Sequence, residues 1–144
     1  MKILIINGPN LNLLGKRNPG LYGSGSLQEL QDFLKAEFPN HSLEFFQSNI
    51  EGELIDKVQQ AMEDNTNGLI INPGGYSHTS VALRDALEPL EVPKVEVHIS
   101  NIHAREEFRE KSITGSVMSG IITGFGKYSY VLGIQALEKL EKQQ

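Results

Sequence analysis

Glu96 and His98 stand two residues apart in the run Lys94-Val95-Glu96-Val97-His98. On a strand that spacing puts both side chains on one side. A carboxylate beside an imidazole suits proton transfer, because histidine changes charge near neutral pH and a carboxylate can orient its ring. An interior parallel strand is normally apolar on both faces, so an acid and an imidazole there need partners. The alternative is an edge strand with a wet face. The polar continuation Ile99-Ser100-Asn101 favours a site.

Two further segments carry groups of the same kind. Asn7-Gly8-Pro9-Asn10 offers two neutral amides, suited to holding a substrate oxygen or an ordered water, although Asn, Gly and Pro also make ordinary turns. Asn72-Pro73-Gly74-Gly75-Tyr76-Ser77-His78-Thr79-Ser80 combines a glycine pair, which allows close backbone approach to a ligand, with hydroxyls and a histidine at a helix start. The simpler reading there is a helix capped by Ser77 or Thr79. The arginines are only Arg17, Arg84, Arg105 and Arg109. Arg105 and Arg109 are four apart and would share a helix face, within a charge run that would ordinarily be solvated. Arg17 precedes Tyr22 in a glycine-rich stretch, and a phenol near a guanidinium ionises more easily. That stretch otherwise reads as a surface loop.

These groups need a scaffold, and the chain alternates strand and helix patterns throughout. Strands are predicted over residues 2–6, 42–47, 68–72, 94–98 and 120–124. Helices are predicted over 26–38, 53–63, 79–90 and 130–142, with one or two helical turns over 104–111. Ser26 and Glu29 fit a capping box. Strict alternation implies a parallel sheet covered on both faces. Five strands suggest an α/β flavodoxin-like three-layer sandwich of order 2-1-3-4-5, with ligands beyond the carboxyl ends of the strands. The one long irregular stretch, residues 8–25, has glycines at 8, 15, 20, 23 and 25 and reads as a lid.

Length and composition narrow the function classes. At 144 residues the chain fits one domain, 1–144. With no cysteine it has no thiol nucleophile, disulfide or Cys-bound zinc. Thirteen basic against 18 acidic residues give a charge of −5 without a basic patch, which disfavours nucleic acid. The apolar start at residues 1–6 is too short for a signal peptide or membrane span, so a cytoplasmic location is expected.

Taken together these segments resemble the type II 3-dehydroquinate dehydratases, hydro-lyases of the shikimate pathway. The likeness runs over essentially the whole chain. Besides the Asn7, Asn72 and Glu96 segments it rests on Arg17-Asn18-Pro19 with Tyr22-Gly23, Arg84-Asp85-Ala86 and Arg105-Glu106-Glu107-Phe108-Arg109. The resemblance implies dehydration of 3-dehydroquinate to 3-dehydroshikimate through an enolate, without Schiff base, metal or organic cofactor. It implies that Tyr22 is the base and that Arg17 favours its phenolate and steadies negative charge. Asn10 would hold the water that stabilises the enolate. His98 would be the acid, oriented by Glu96. Asn72 with the Ile99 and Ser100 backbone would bind the substrate carboxylate, His78 and Arg109 its hydroxyls, and the Gly74–Gly75 pair would line the site. Asp85 would reach a neighbouring site in a dodecamer built from trimers. Ser129 and the polar lid segment Ser24-Gly25-Ser26 depart from the family pattern.

The competing readings are a flavodoxin-like nucleotide- or flavin-binding module, a receiver-type domain and a metal site on His78, Glu96 and His98. Gly23-x-Gly25 lacks the third glycine of the dinucleotide fingerprint and follows no strand. Asparagines stand where a receiver would carry acids.

Overall fold

The computed structural model describes residues 1–143. Five strands, β1 (Lys2–Asn7), β2 (Ser42–Gln47), β3 (Gly68–Asn72), β4 (Lys94–His98) and β5 (Gly120–Thr123), form one sheet of order β2-β1-β3-β4-β5. Every neighbouring pair is parallel. The expected order and the α/β flavodoxin-like class are therefore present.

Strand alternation divides the core in two. Ile3, Ile5, Ile70, Val95 and Val97 face one side, packed by Leu30 and Leu34 of α2 (Leu27–Glu37) and by Tyr130, Ile134 and Leu137 of α6 (Tyr128–Glu141). Leu4, Ile6, Leu69 and Ile71 face the other, against Leu54 and Val58 of α3 (Glu51–Ala61) and Leu83 and Leu87 of α5 (Val81–Leu87). Each such fully buried side chain contributes on the order of 1.5–3 kcal/mol.

Three local expectations need correction. The stretch 8–25 is not irregular throughout. It holds a 3-10 turn at Leu11–Leu13 and the short α1 (Pro19–Tyr22), and Leu11 and Leu14 are buried anchors. The helix expected over 79–90 is two pieces, α4 (Tyr76–Thr79) and α5, broken at Ser80. Ser80, rather than Ser77 or Thr79, supplies the cap, accepting from Leu83 N–H at 2.9 Å. A serine in extended backbone can satisfy that otherwise unpartnered amide, whereas Ser77 and Thr79 lie inside a helical turn. The Ser26 cap does form, with Glu29 N–H donating to Ser26 Oγ at 3.1 Å.

β4 lies between β3 and β5 and is buried along its whole length, so the edge-strand alternative fails. Its polar alternation has a structural answer. Lys94, Glu96 and His98 lie on the α5 side, in register with Leu69 and Ile71 of that face. Lys94 Nζ donates to the carbonyls of Leu87, Glu88 and Leu90, closing the carboxyl end of α5. Burial pushes its ionisation down, partly offset by Glu88. Beyond it, Glu96 is covered by the segment around the 3-10 turn Thr114–Val117. Among the described residues no helix is long and apolar enough to cross a membrane.

Candidate active site

The ends of β1, β3 and β4 meet at a cavity of about 140 Å³. Asn10, Arg17, Tyr22, Asn72, Gly74, Gly75, His78, His98, Ile99, Ser100 and Arg109 all line it, as does Arg105. Glu96 stands directly behind His98. Asp85 does not join them. It lies on the outer side of α5, with its side chain 61% exposed and paired to Arg84 Nη1 at 3.0 Å.

The wall at β1 and β3 is set by backbone constraints. Gly8 N–H donates to Asn72 O at 2.8 Å, and a Cβ on Gly8 would lie 2.5 Å from Pro73 O. Gly74 has φ +60°, and a Cβ there would meet Pro9 O at 3.0 Å. Both glycines thus let two loops approach more closely than any side chain would permit. Asn10, at φ 71°, starts the Leu11–Leu13 turn without capping it by its side chain.

Behind this wall sits a polar group that sequence reasoning missed. Tyr130 is fully buried, its hydroxyl donating to Asn7 Oδ1 at 2.5 Å and accepting from Asn72 Nδ2 at 3.0 Å. Burial pushes the phenol's ionisation far up, against a smaller opposing effect of the Asn72 bond, so it stays a neutral donor. Asn72 Oδ1 accepts from Gly74 N–H at 3.1 Å, and the amide plane is thereby held at the cavity. Helical spacing marks Tyr130 only as core. Ser129, the departure from the family pattern, is buried and its hydroxyl accepts from Phe125 N–H at 3.1 Å, so the change is absorbed locally.

The β4 wall carries a carboxylate–imidazole pair. Glu96 Oε2 lies 2.8 Å from His98 Nε2, and both residues are buried, Glu96 at 0% exposure and His98 at 5%. Burial alone would raise the Glu96 pKa. The His98 hydrogen bond and charge, with the hydroxyls of Ser112 and Thr114, outweigh it and hold the carboxyl below its usual range. The ring of His78 stacks on that of His98 at 6.2 Å, and His78 Nδ1 is hydrogen-bonded to Lys111 O at 2.9 Å. Nothing singled out Ser112 or Thr114 in advance, although a Ser-x-Thr spacing after the arginine segment was there to be read.

The third wall is cationic. Arg17 lies over the Tyr22 ring at 4.6 Å and Arg105 at 5.4 Å. Arg105 and Arg109 do not share a helix face as expected. Two separate 3-10 turns, Ile102–Ala104 and Glu107–Arg109, flank Arg105, which is extended at φ −114°, ψ −155°. Both reach the cavity all the same, Arg105 steadied by Ser100 Oγ at 3.3 Å and Arg109 by Glu106 at 2.9 Å. The Arg109 bond, with lesser help from the nearby charges, holds the Glu106 carboxyl below its usual range.

This arrangement can do a definite chemistry. A phenol under guanidinium groups faces a carboxylate-backed imidazole across a small cavity, which suits removal of one proton and delivery of another. The lining contains no lysine, so no amine is at hand for an imine. Among the described residues no cluster of three His, Asp or Glu side chains is arranged to hold a metal ion. A larger cavity of about 720 Å³ shares Tyr22, Ile99 and Ser100 with this one but contains no histidine or arginine, so the histidines and arginines gather at the smaller one.

Residues 1–138 match the family described as dehydroquinase class II. The chain is 50% identical over 145 residues to a 3-dehydroquinate dehydratase of Helicobacter hepaticus, covering 99% of this chain and 92% of that protein. It is 51% identical over 142 residues to one of Aliarcobacter butzleri, covering 97% of this chain and 86% of that one. The crystal structure of a type II dehydroquinase from Butyrivibrio crossotus superposes with a TM-score of 0.94 at 46% identity, covering 96% of this chain and 97% of that one.

Proposed function

The chain belongs to the class II dehydroquinase family, and from that premise we propose that it dehydrates 3-dehydroquinate to 3-dehydroshikimate, the hydro-lyase step of the shikimate pathway. One observation carries the reading beyond the family. Tyr22, flanked by Arg17 and Arg105, and His98, backed by Glu96, line one small cavity.

The reaction removes a proton from the carbon beside the ketone and a hydroxyl from the next carbon. In the proposed path Tyr22 takes the proton, and the C–H electron pair becomes the enolate. Arg17, which lies over the Tyr22 ring, and a water held by Asn10 stabilise the enolate charge. The enolate then re-forms the ketone and expels the hydroxyl as His98 protonates it, giving water and a conjugated enone. Glu96 keeps His98 oriented. Between turnovers Tyr22 loses a proton and His98 regains one through solvent, which balances the cycle.

Binding follows the same geometry. The Asn72 amide and the backbone of Ile99 and Ser100 take the carboxylate, and His78 and Arg109 take ring hydroxyls, with the Gly74–Gly75 backbone alongside. The asparagines, histidines and arginines of the lining offer partners for a small ring that bears a carboxylate and hydroxyls. Asp85, exposed and outside its own cavity, is the residue we assign to a neighbouring protomer's site in a dodecamer. We assign the chain one catalytic domain and a cytoplasmic place of work.

The test is a direct assay with 3-dehydroquinate, following the enone by ultraviolet absorbance. Turnover is the expected result. Absence of turnover at saturating substrate overturns the reading.

A further inference from the structure

Both oxygens of Glu96 are taken up by groups from outside β4. Ser112 Oγ donates to Oε2 at 2.6 Å, and Thr114 Oγ1 donates to Oε1. The direction of the Ser112 bond is fixed because an ionised carboxylate can only accept, and the Ser112 oxygen in turn accepts Gly115 N–H at 2.9 Å. Gly115 packs closely on β5, where a Cβ would collide with the Ile121 side chain. The same short segment grips the neighbouring wall. Ile113 N–H donates to Ser77 O at 2.6 Å, and Lys111 O is the partner of His78 Nδ1. Residues 111–114 thus strap together the two histidines that line the cavity.

Resting on the dehydratase reading above, we propose that Ser112 and Thr114 are positioning residues for the reaction, clamping Glu96 so that His98 is held with Nε2 inward and Nδ1 as its proton-delivering nitrogen. A carboxylate with no exposure to water stays ionised only if its oxygens are satisfied. Ionised, it can only accept, so the proton between it and His98 sits on Nε2. His98 Nδ1 has no partner among the described residues, and that nitrogen is then the one that can donate to the departing hydroxyl. If the two hydroxyls are lost, protonating Glu96 becomes easier and the ring loses its fixed acceptor. The titratable groups near the carboxylate are His98 on its own strand and, one ring further, His78 on α4. Lys94, on the same face of β4, is occupied by the α5 carbonyls.

The experiment compares wild type with Ser112→Ala, Thr114→Val and the double variant, assayed with 3-dehydroquinate across pH. Each single change is expected to lower kcat about tenfold and the double about 100-fold, with KM within about twofold. The acid limb of the kcat profile moves up by roughly one unit. Thr114→Ser, which keeps the hydroxyl, recovers most of the loss. A merely structural role would lower the melting temperature and leave kcat and the acid limb where they are. Folded variants with kcat within about twofold of wild type and an unmoved acid limb overturn the clamp while leaving the activity intact. If the double variant does not fold, Ser112→Ala alone decides, since Ser112 is only partly buried. A wild-type protein without turnover overturns the dehydratase reading and the clamp with it.

Discussion

The Tyr130 hydroxyl lies 2.5 Å from Asn7 Oδ1, joining residues 123 positions apart and tying α6 to the carboxyl end of β1. Asn72, at the end of β3, completes the group by donating from Nδ2 to the Tyr130 hydroxyl at 3.0 Å. Tyr130→Phe leaves two buried amides short of a partner. It is expected to cost about 1–3 kcal/mol in denaturant unfolding. Because the Asn72 amide loses its fixed plane, KM for 3-dehydroquinate should rise more than kcat falls. An unchanged KM would show that Asn72 is oriented by Gly74 alone.

Tyr22→Phe keeps the ring under Arg17 and Arg105 but removes the group assigned as base. We expect kcat to drop by about 10²–10⁴-fold with KM little changed. Steady-state kinetics decide it, and a kcat close to wild type would move the base elsewhere.

Sodium borohydride added with substrate should leave activity intact. The proposed mechanism forms no imine, and no lysine lines the cavity. Lys94 is held by the carbonyls at the end of α5. Substrate-dependent inactivation would point to a lysine adduct, and mass spectrometry of the treated protein would locate it.

Acid stability should depend on Glu96. Its folded pKa lies below the ordinary 4.5, so folding favours the ionised form. That contribution is fully present above about pH 4.5 and is lost as pH falls through the lower, folded value. Asp64, which is half-buried, acts in the same sense, held down chiefly by the Thr66 hydroxyl. The melting temperature of wild type should therefore fall below pH 4.5, and Glu96→Gln should flatten that fall while being less stable at neutral pH. Equal acid sensitivity of the two proteins would remove Glu96 as a cause.

Asp85→Ala tests the assembly. Asp85 lies outside its own cavity, so the substitution should lower kcat/KM only if a neighbouring protomer receives it. Sedimentation velocity of wild type should give a dodecamer. A fully active monomer would refute both statements.

Much of this was legible in the chain. Alternation of strand and helix patterns implied the 2-1-3-4-5 sheet, because a crossover connection of fixed hand leaves few arrangements. The pair Glu96 and His98 could be picked out because two ionisable side chains on an otherwise apolar strand are expensive to bury. Asn10, Arg17, Tyr22, Asn72, His78 and Arg109 were named from their segments, and the fold brings them around one cavity. What eluded sequence reasoning depends on contacts between distant segments. Nothing local pairs Tyr130 with Asn7 and Asn72, and the Ser-x-Thr spacing at Ser112 and Thr114 does not by itself point to Glu96. Whether a buried tyrosine or serine is packing or polar support depends on which atom the fold sets against it. The same holds for Arg105 and Arg109. Their spacing of four suggested one helix face, but tertiary packing of the 102–109 segment as two separate turns brought both to the cavity by another route. The residue types and their order along the chain thus determined which chemistry was available. Only the tertiary structure decided which buried groups hold it in place, because a hydrogen bond depends on distance and direction, and sequence spacing specifies neither across 123 positions.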